Sequence, residues 1–596
     1  MIDNRVIFRL APALILSAIM LIGSLPLAMG SQNIDITMVQ DPSIIGISSG
    51  SDTNGFLEVN PLAVSSGSDL SVVSGYALQQ MQNEYRTYGF LALFPTTSFS
   101  KLKLVHSAYV NQQYTSEHST DVVVATRKGE SGGIGDIAAP PSTEVWLLHV
   151  SEVWRNSFFN TAFSVVAFDS KGEVICQNGF TLGKLKSGTP VYGFHSGGEA
   201  LVHDGRKAYL IASINNLDSY YAENPLIIAS FDGECGLSQP KMFRIASSPD
   251  SRAYVKDAVY SDGYIYASGV YRSGAEGAPY KMLVLKISAE TLSIVDSRIL
   301  ITPGTEDMNL YSTTKVDAGD GILAISAFYT KDSLGKLATI TLNPTTMQPV
   351  WASTVEFYGP EGIGVAESVA VKDGMVLTIG SIYQGSYISP EVSKGFITAH
   401  ATDTGELGAA YTLGFEGAIM FRDMTVRGDE IMVAAKWVPG ALDAGLQEAK
   451  AASEIFGGTD ITVIDIPSST TTSPLKPASD LTGGLNVLDA TDELRTGYSN
   501  MEDHSLYITT LKATPQKTVT TTDTAAESQD ETPGTSSQQP ASQTTEEQEN
   551  PTETGGEDNT TGKEDGVKQY IQGIPLEILA AIAILLLAIA IIAVKR

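Results

Sequence analysis

The sequence predicts an all-β protein, and specifically a β-propeller of about seven four-stranded blades, with roughly six to eight blades allowed by its repeats. Two observations predict this fold. Short runs rich in Val, Ile, Tyr and Ser alternate with Asp-Gly turns, a pattern typical of antiparallel hairpins. A unit of two hairpins joined by a variable loop also recurs about every 55 residues. Because one blade cannot bury its own faces, such units close into a ring.

The repeat is clearest in the middle of the chain. Residues 253–271 and 280–300 form one unit, and residues 312–329 and 337–355 form the next. The remaining units cover residues 71–105, 163–176, 199–243, 367–413, and 421–437 together with 460–466. Residues 505–513 are a further strand, which is expected to complete the last blade or to close the ring against the first.

The N-terminus carries an export signal. Arg5 and Arg9 precede an apolar run that ends near the small residues Ala28 and Gly30, which is the pattern of a secretory signal with its cleavage site. We therefore expect residues 1–30 to be removed. An N-terminal anchor that stays uncleaved is the alternative, because the apolar run is long for a signal.

The composition changes after the propeller ectodomain, which is predicted to span residues 31–513. Residues 514–570 are rich in Thr, Ser, Glu and Pro and predict a disordered stalk, because such a segment buries too little apolar surface to offset its conformational entropy. Residues 574–594 are almost all Ile, Leu and Ala, so they predict a transmembrane helix. Residues 595–596 are Lys and Arg and favour the cytoplasmic side. The prediction is a single-pass plasma-membrane protein with an extracellular ectodomain.

Charge and modification signals agree with a cell-surface location. The formal net charge of −29 argues against partners such as nucleic acid or anionic lipid headgroups. Asn559 begins an Asn-Thr-Thr acceptor for N-glycosylation in the stalk. The histidines are scattered, and the sequence has no His-Glu-x-x-His motif, cysteine cluster or complete EF-hand loop, so neither a metal nor a cofactor is predicted.

Catalytic motifs are weak. Residues 129–133 fit the string Gly-x-Ser-x-Gly and resemble the serine-protease active-site string, with His106 and Asp121 upstream. These two residues are too close to Ser131 in the sequence for that protease fold, and the string lies in a Gly- and Pro-rich loop. No catalytic residue is predicted.

Aromatic residues repeat at one point of the unit, the end of the second strand: Tyr271, Tyr329, Tyr383 and Trp437. If they lie around the mouth of the propeller, they offer apolar faces that stack on sugar rings. Packing between neighbouring blades is the alternative. The loop at residues 437–458 has apolar residues near helical spacing and predicts a short lid helix over the same face.

Cys176 and Cys235 stand near the third-to-fourth strand turns of consecutive units. Outside the cell they are expected to form a disulfide between two blades, provided that their Cα atoms lie within about 7 Å. Free thiols are the alternative.

Turn segments at residues 168–174, 342–351 and 401–407 resemble those of quinoprotein-like and related seven-bladed propeller repeats in prokaryotic surface proteins. The resemblance implies the fold and no particular activity. Quinoprotein repeats regularly end in a tryptophan, which this chain lacks apart from Trp351, and the chain has no adjacent cysteine pair. No quinone cofactor is therefore expected. An Ile- and Ala-rich anchor after a Thr-rich stalk resembles archaeal envelope proteins.

The function predicted from these features is binding or adhesion, in which one loop face recognises envelope glycans or surface-layer proteins. Two alternatives stay open. One is an extracellular glycan hydrolase or lyase with carboxylates at the central channel, and the other is a scaffold in envelope assembly. Two or more Asp or Glu side chains within about 10 Å at the channel mouth would favour the enzyme, since glycoside hydrolysis needs a pair of carboxyl groups.

Overall fold

The structure is a computed structural model that describes the propeller region. The described residues are 34–515 except for segments 49–55, 82–83, 96–102, 110–114, 128–141, 156–157, 182–198, 214–224, 247, 249–250, 276, 332–333, 358–362, 387–388, 417–418, 439–441, 472–475, 478–484, 490–493 and 497–504. The predicted signal peptide, the anchor, Asn559 and the stalk beyond residue 515 lie outside the described residues. Among the described residues, no helix has the length and apolarity needed to cross a bilayer.

The described residues form seven antiparallel blades around a ring. The first strand, β1 (Ile34–Ser48), belongs to the last blade. The strands of the first three blades are β2 (Phe56–Ser66), β3 (Leu70–Met81), β4 (Glu84–Pro95) and β5 (Lys103–Tyr109) in blade 1; β6 (Thr115–Arg127), β7 (Ser142–Arg155), β8 (Phe158–Asp169) and β9 (Val174–Thr181) in blade 2; and β10 (Glu199–His203), β11 (Ala208–Ser213), β12 (Leu226–Phe231) and β13 (Lys241–Ile245) in blade 3.

Blades 4 to 6 follow the same order. Their strands are β14 (Arg252–Ser261), β15 (Tyr264–Arg272), β16 (Lys281–Ser288) and β17 (Ser293–Ile301) in blade 4; β18 (Asn309–Gly319), β19 (Ile322–Lys331), β20 (Leu334–Leu342) and β21 (Pro349–Phe357) in blade 5; and β22 (Ile363–Lys372), β23 (Met375–Ser386), β24 (Ser389–Ala401) and β25 (Leu407–Glu416) in blade 6. The predicted two-hairpin unit is therefore the blade itself.

Blade 7 joins the two ends of the described chain. It starts with β26 (Ile419–Arg427) and β27 (Glu430–Trp437), continues with β35 (Ser505–Pro515) and ends with β1. β35 pairs with β27 on one side and with β1 on the other, so the strand predicted at residues 505–513 completes the last blade. The end of β1 also pairs with the start of β2, which connects blade 7 to blade 1.

Between β27 and β35 the chain makes an excursion that we call the belt (residues 438–504). The belt adds a further strand to the outer edge of each of the seven described blades, in the order blade 6, 5, 4, 3, 2, 1 and 7. Its strands are β28 (Leu442–Glu448), β29 (Ala451–Gly457), β30 (Thr462–Asp465), β31 (Ser468–Thr471), β32 (Lys476–Pro477), β33 (Leu485–Asp489) and β34 (Leu494–Thr496), which pair with β25, β21, β17, β13, β9, β5 and β1 respectively.

The belt corrects two predictions. The lid helix expected at residues 437–458 is wrong, because this segment forms β28 and β29 and a single 3₁₀ turn at Gly458–Asp460. Residues 460–466 do not complete blade 7 either, since β30 pairs with β17 of blade 4. In both cases the apolar residues pack against a blade edge, and a short apolar run does not reveal which edge it pairs with.

The Asp-Gly turns join the first and second strands of their blades, as predicted. In blades 4, 5 and 6 both turn residues have positive φ, for example 50° at Asp262 and 82° at Gly263, and 49° at Asp320 and 76° at Gly321. These values are typical of a type I′ turn, whose twist matches that of the flanking strands and which favours Asp and Gly. The turns therefore fix the register of the first hairpin in these blades.

Apolar clusters fill the spaces between neighbouring blades. The cluster between blades 4 and 5 contains Met282 and Leu300 from one blade and Leu323 and Ile340 from the other, all fully buried. Comparable clusters lie at the other contacts around the ring. Burial of these apolar side chains therefore stabilises the contacts between neighbouring blades. The innermost strands of the blades line a central channel.

Candidate functional site in the central channel

The first strand of each blade faces the axis of the ring. The seven first strands contact one another in sequence, β2 with β6, β6 with β10, β10 with β14, and so on until β26 returns to β2. Side chains that point inwards from these strands line the channel. The chemistry of the channel is therefore set by the inward positions of seven strands.

β-Bulges alter the register of several first strands. They lie between the paired residues Pro61 and Ala63, Ser119 and Asp121, Val255 and Asp257, Ala366 and Ser368, and Phe421 and Asp423. A β-bulge inserts one residue and re-aims the side chains beside it, and such bulges are common next to active sites. The inserted or following residue is charged in four of these strands: Asp121, Lys256 with Asp257, Glu367, and Arg422 with Asp423.

Blade 5 contributes a cation at the matching position of its first strand. The fifth residue pair, counted from the turn that ends the first strand, contains Asp257 in blade 4, Lys315 in blade 5 and Asp423 in blade 7. We call Asp121, Asp257, Lys315, Glu367, Arg422 and Asp423 the channel cluster. Glu367 is buried and the other five side chains are half-buried. Charged groups from five blades thus meet in one channel.

Lys315 interacts with four carboxylates of the cluster. Burial lowers its pKa, but the charges of Asp257, Asp423, Glu367 and Asp121 outweigh burial and raise its pKa above 10.5. Lys315 is therefore a cation throughout the neutral range. Glu367 has a second partner, because the Nη1 atom of Arg422 lies 3.0 Å from its Oε1 atom.

The carboxyl groups of the cluster differ in proton affinity. Burial raises the pKa of Asp121 to about 8; the neighbouring charges of Asp257 and Asp423 act in the same direction, and backbone N–H bonds oppose it. Burial raises the pKa of Asp423 to about 6, and there the charge of Lys315 is the main opposing effect. Burial also raises the pKa of Asp257, again against Lys315. At neutral pH, Asp121 holds a proton and Asp423 does not.

Three aspartates of the channel cluster also connect the blades, as Asp317 of blade 5 does by accepting the backbone N–H of Val371 in blade 6 at 2.8 Å. Each accepts a backbone N–H of the next blade: Asp121 from Leu201 at 2.6 Å, Asp257 from Val316 at 2.9 Å, and Asp423 from Val64 at 2.7 Å. A second bond reaches Asp121 from the backbone N–H of Val122 at 2.8 Å. These bonds hold the carboxyl groups in fixed positions, which is a requirement for a catalytic group.

The aromatic residues predicted as a ligand-binding rim are buried instead. Tyr329 and Tyr383 are at most 1% exposed, and Tyr271 and Trp437 are each 3% exposed. Tyr271 uses its hydroxyl to donate a hydrogen bond to Ser251 Oγ at 2.9 Å. Since a stacking surface has to be accessible, these side chains offer no face to a sugar, and they serve the alternative role of packing between strands.

Cys176 and Cys235 form a disulfide with their Cα atoms 5.8 Å apart. It links β9 of blade 2 to the β12–β13 turn of blade 3. Asn178 strengthens the same contact, because its Nδ2 atom donates to the carbonyl oxygen of Cys235 at 2.8 Å. The disulfide lies on the outer side of the ring and is remote from the channel cluster along both sheets.

The serine-protease resemblance has no structural counterpart. His106 lies on the fourth strand of blade 1, whereas Asp121 lies on the first strand of blade 2. The string at residues 129–133 lies outside the described residues. Asp121 therefore belongs to the channel cluster and not to a triad with His106.

Sequence reasoning missed the other members of the cluster. Their signal was a charged residue or pair, such as Lys256-Asp257 or Arg422-Asp423, at a constant distance before the turn that ends a first strand. A charge inside a strand normally marks the solvent-facing side of a sheet. Only the ring converts that side into the wall of a shared channel.

With its blades and channel defined, the chain is a seven-bladed β-propeller. Polysaccharide lyase Uly1 is similar over 72% of this chain and 99% of its own, at 10% identity and a TM-score of 0.35. Phage phi92 endosialidase is similar over 72% of this chain and 70% of its own, at 8% identity and a TM-score of 0.33. A GH43 endo-arabinanase from Bacillus licheniformis is similar over 46% of this chain and 96% of its own, at 15% identity and a TM-score of 0.25.

Likeness at this level concerns the fold alone. No protein-family model matches the chain, and no curated protein matches it. The function therefore has to be argued from the channel cluster itself.

Proposed function

We propose that this protein is an extracellular glycan hydrolase and that the channel cluster is its active site. The observation that supports the proposal is the convergence of the carboxyl groups of Asp121, Asp257 and Asp423 from three blades into one channel. Glycoside hydrolysis needs two carboxyl groups in opposite protonation states on either side of the scissile bond. The different environments of Asp121 and Asp423 supply such a pair.

A purely structural role explains the aspartates less well. The contacts between blades 1 and 2 and between blades 3 and 4 have similar bonds made by neutral groups. Ser65 Oγ accepts the backbone N–H of Val124 at 2.9 Å, and Ser213 Oγ accepts that of Val255 at 2.7 Å. Since a hydroxyl is sufficient to connect two blades, three half-buried carboxyl groups in one channel exceed the structural need and suggest chemistry.

The roles follow from the protonation states. Asp121 donates its proton to the glycosidic oxygen of the leaving sugar while the bond from that oxygen to the anomeric carbon breaks. Asp423, which is ionised at neutral pH, takes a proton from the water that forms the new bond to the same carbon. The two steps together consume one water molecule. Afterwards the base releases the proton it took to solvent, and Asp121 takes up a proton from solvent, so both groups return to their starting states.

The predicted location fits this chemistry. The signal peptide, stalk and membrane anchor expected from the sequence would hold the propeller at the outer face of the cell, where envelope glycans are the accessible polymers. The binding role predicted first depended on aromatic residues that are buried. We therefore place hydrolysis ahead of adhesion.

The test uses the full-length chain on a panel of neutral and acidic polysaccharides, with release of reducing ends as the measurement. We expect Asp121→Asn to lower the rate by a factor of about 10² to 10⁴, the usual contribution of a general acid. Asp403→Asn is the matched control, because Asp403 is an exposed turn residue, and it should keep the wild-type rate. Wild-type rates in Asp121→Asn, or no turnover on any polysaccharide, would exclude the proposal.

The pH profile provides a second readout. The rate should fall below about pH 6, where Asp423 becomes protonated, and above about pH 8, where Asp121 loses its proton. A maximum between these values is expected. Products with an unsaturated sugar, detected by ultraviolet absorbance, would instead identify a lyase and contradict hydrolysis.

A further inference from the structure

Two arginines lie directly opposite each other at one end of blade 4. Arg252 begins β14 and Arg272 ends β15, and they form the residue pair farthest from the Asp262-Gly263 turn. Side chains of directly opposite residues in an antiparallel pair lie on the same face of the sheet. Both arginines therefore project from one face of blade 4, on the rim of the ring opposite the Asp-Gly turns.

This face of blade 4 packs against blade 5. Tyr254, two positions further along β14 on the same face, belongs to the apolar cluster between the two blades. The guanidinium carbon of Arg272 lies 5.4 Å from the ring centroid of Tyr280. The backbone of Tyr280 is bonded to β18 of blade 5, because its N–H donates to Asn309 Oδ1 at 2.8 Å and its carbonyl oxygen accepts the N–H of Leu310 at 3.1 Å. The Arg272 guanidinium is thus held over a ring that both blades fix in place.

The positive charges of this pair are not balanced by the protein. Within the described ranges, no Asp or Glu forms an ion pair with Arg252 or Arg272. The Nε–H group of Arg272 is buried, and no described residue accepts a hydrogen bond from it. Like charges directly opposite each other destabilise a sheet, and a buried donor without an acceptor does so too. The fold does not require such a pair, because the matching pair in blade 5 is the neutral Asn309 and Thr330.

We propose that Arg252 and Arg272 form a subsite that binds an anionic group of a glycan, either a carboxylate or a sulfate ester, on the rim between blades 4 and 5. Planar guanidinium groups bind such oxygens through paired N–H donors, and both arginines are only half-buried. The net charge of −29 does not oppose this locally, since charges more than about 8 Å away are largely screened at physiological salt.

The choice of a glycan as the ligand rests on the proposed hydrolase function and deepens it. Arg252 stands five residues before Asp257 of the channel cluster, which is about 17 Å along β14. A short oligosaccharide spans this distance. One acidic glycan chain therefore reaches from the arginine pair to the proposed catalytic groups, and the subsite selects acidic over neutral polymers.

Isothermal titration calorimetry on the full-length chain tests the subsite, with Asp121→Asn present throughout so that no probe is cleaved. The probes are a galacturonate hexamer, the same hexamer with methyl-esterified carboxyl groups, a sulfated hexasaccharide and a glutamate-rich peptide. We expect binding of the galacturonate or the sulfated hexamer, whichever matches the natural anionic group, and much weaker binding of the ester. Arg252→Met and Arg272→Met should each weaken binding by a factor of about 10, because methionine keeps an apolar stem and removes the charge-assisted hydrogen bonds. Arg206→Met is the matched control, since Arg206 is an exposed cation in the β10–β11 turn, and it should bind like the parent.

Equal affinity for galacturonate and its methyl ester, with no binding of the sulfated probe, would overturn the proposal, and this comparison needs no arginine variant. So would unchanged affinity in both arginine variants, or binding of the glutamate-rich peptide alone. The outcome is separable from that of the hydrolase test. Arginine-dependent binding without any turnover by the wild type would reject the enzyme and retain the subsite. Turnover of an acidic polysaccharide that neither arginine substitution changes would retain the enzyme and reject the subsite.

Discussion

At the scale of single residues, His400 shows how burial makes stability depend on pH. His400 lies on β24 of blade 6 and is fully buried, with its ring centroid 6.1 Å from that of Trp351 in blade 5. Among the described residues, neither ring nitrogen has a hydrogen-bond partner. Burial lowers the pKa of His400 from 6.5 to about 4. The imidazole is therefore neutral in the folded protein at any pH above that value.

The sign of the effect follows from linkage. Between about pH 6.5 and pH 4 the unfolded chain binds a proton at His400 and the folded chain does not, so stability falls as the pH falls through this range. The loss amounts to about 3 kcal/mol at most. We expect the difference in unfolding free energy between the wild type and His400→Leu to change by up to that amount from pH 7 to pH 4. Denaturant unfolding across this range measures the difference.

Comparison with the variant isolates the histidine. Asp121, Asp423 and the other titrating carboxyl groups are present in both proteins, so their effects cancel in the difference. A packing change caused by leucine would appear as a constant offset at every pH. A difference that is the same at pH 7 and pH 4 would contradict the prediction and would mean that His400 is hydrogen-bonded or hydrated in the folded state.

The roles of single residues were the hardest feature to predict from the sequence. The aromatic residues Tyr271, Tyr329, Tyr383 and Trp437 were correctly placed at the ends of second strands, but a strand end does not show whether a side chain turns inwards or outwards. Charged residues such as Asp257 and Lys315 had a visible spacing before the turn. Their shared location in the channel depends on contacts between strands that are about 55 residues apart or more in the chain. No local sequence pattern specifies these contacts.

At the scale of elements, a side chain on the outer part of one blade reaches a hairpin of the next. In blade 5 the Nε1 atom of Trp351 donates to the carbonyl oxygen of Thr402 in blade 6 at 2.8 Å. In blade 4 the Nη1 atom of Arg298 donates to the carbonyl oxygen of Met347 in blade 5 at 2.8 Å. A single structural role is thus filled by an indole and by a guanidinium group. This variety explains why a search for a regular tryptophan finds only Trp351.

Glycine is required where the Trp351 ring meets the hairpin. Gly405 has a φ of 74°, and a Cβ atom added there would lie 2.6 Å from the ring. Gly405→Ala should therefore cost both backbone strain and overpacking, together about 2 to 4 kcal/mol. Gly428→Ala is the matched control, because Gly428 has a φ of 58° and no atom within 4 Å of the added Cβ. It should cost only about 1 kcal/mol.

The measurement is the midpoint of denaturant unfolding for the two variants and the wild type. Equal shifts in Gly405→Ala and Gly428→Ala would show that backbone strain alone matters and that the ring of Trp351 can move away. A larger shift in Gly405→Ala supports a rigid contact between blades 5 and 6.

Hairpins were the elements best predicted from the sequence. An Asp-Gly pair between two apolar runs specifies the turn type, the strand order and the register within a few residues, all through local backbone geometry. The segment at residues 437–458 was predicted wrongly because the helical spacing of its apolar residues arose by coincidence. Leu446 and Phe456 pack against two different blades, and a single buried helix face was never involved.

At the scale of the whole molecule, the belt covers the outer edge strands. An unpaired edge strand presents free N–H and C=O groups that pair readily with other chains. The longest belt pairing among the described residues lies on blade 5, where β29 pairs with β21 over seven residue pairs. The belt therefore satisfies edges that would otherwise associate between molecules.

Replacing β29 to β31 (residues 451–471) by a flexible Gly and Ser linker of equal length tests this role. The outer strands of blades 3, 4 and 5 would lose their partners, while the four inner strands of each blade would stay paired. We expect association that increases with protein concentration, measured by size-exclusion chromatography with light scattering, together with a retained β-sheet signal in circular dichroism.

The wild-type chain at the same concentrations is the reference for that measurement. A linker variant that stays in the wild-type oligomeric state at every concentration would mean that the edges are protected by their own geometry. Loss of the β-sheet signal would mean instead that the belt is needed for the ring to form at all.

The ring and its approximate blade number could be predicted because the repeats are long and similar. The belt could not be predicted in this way. Its strands are short and pair with seven different blades. The sequence of residues 460–466 does not differ from that of a fourth strand of a blade. Pairing between segments that are distant in the chain depends on which edges remain open after the blades have formed, and local sequence does not specify this.

The position of β35 has a consequence for biosynthesis. This strand fills the gap between β27 and β1, yet the entire belt separates it in the chain from β27. A nascent chain that has not reached residue 505 can assemble blades 1 to 6, but β1 and β27 then have no strand between them. Such a chain keeps an open ring in which the edges of β1 and β27 that β35 covers are unpaired. Completion of blade 7 is therefore tied to synthesis of the chain as far as residue 515.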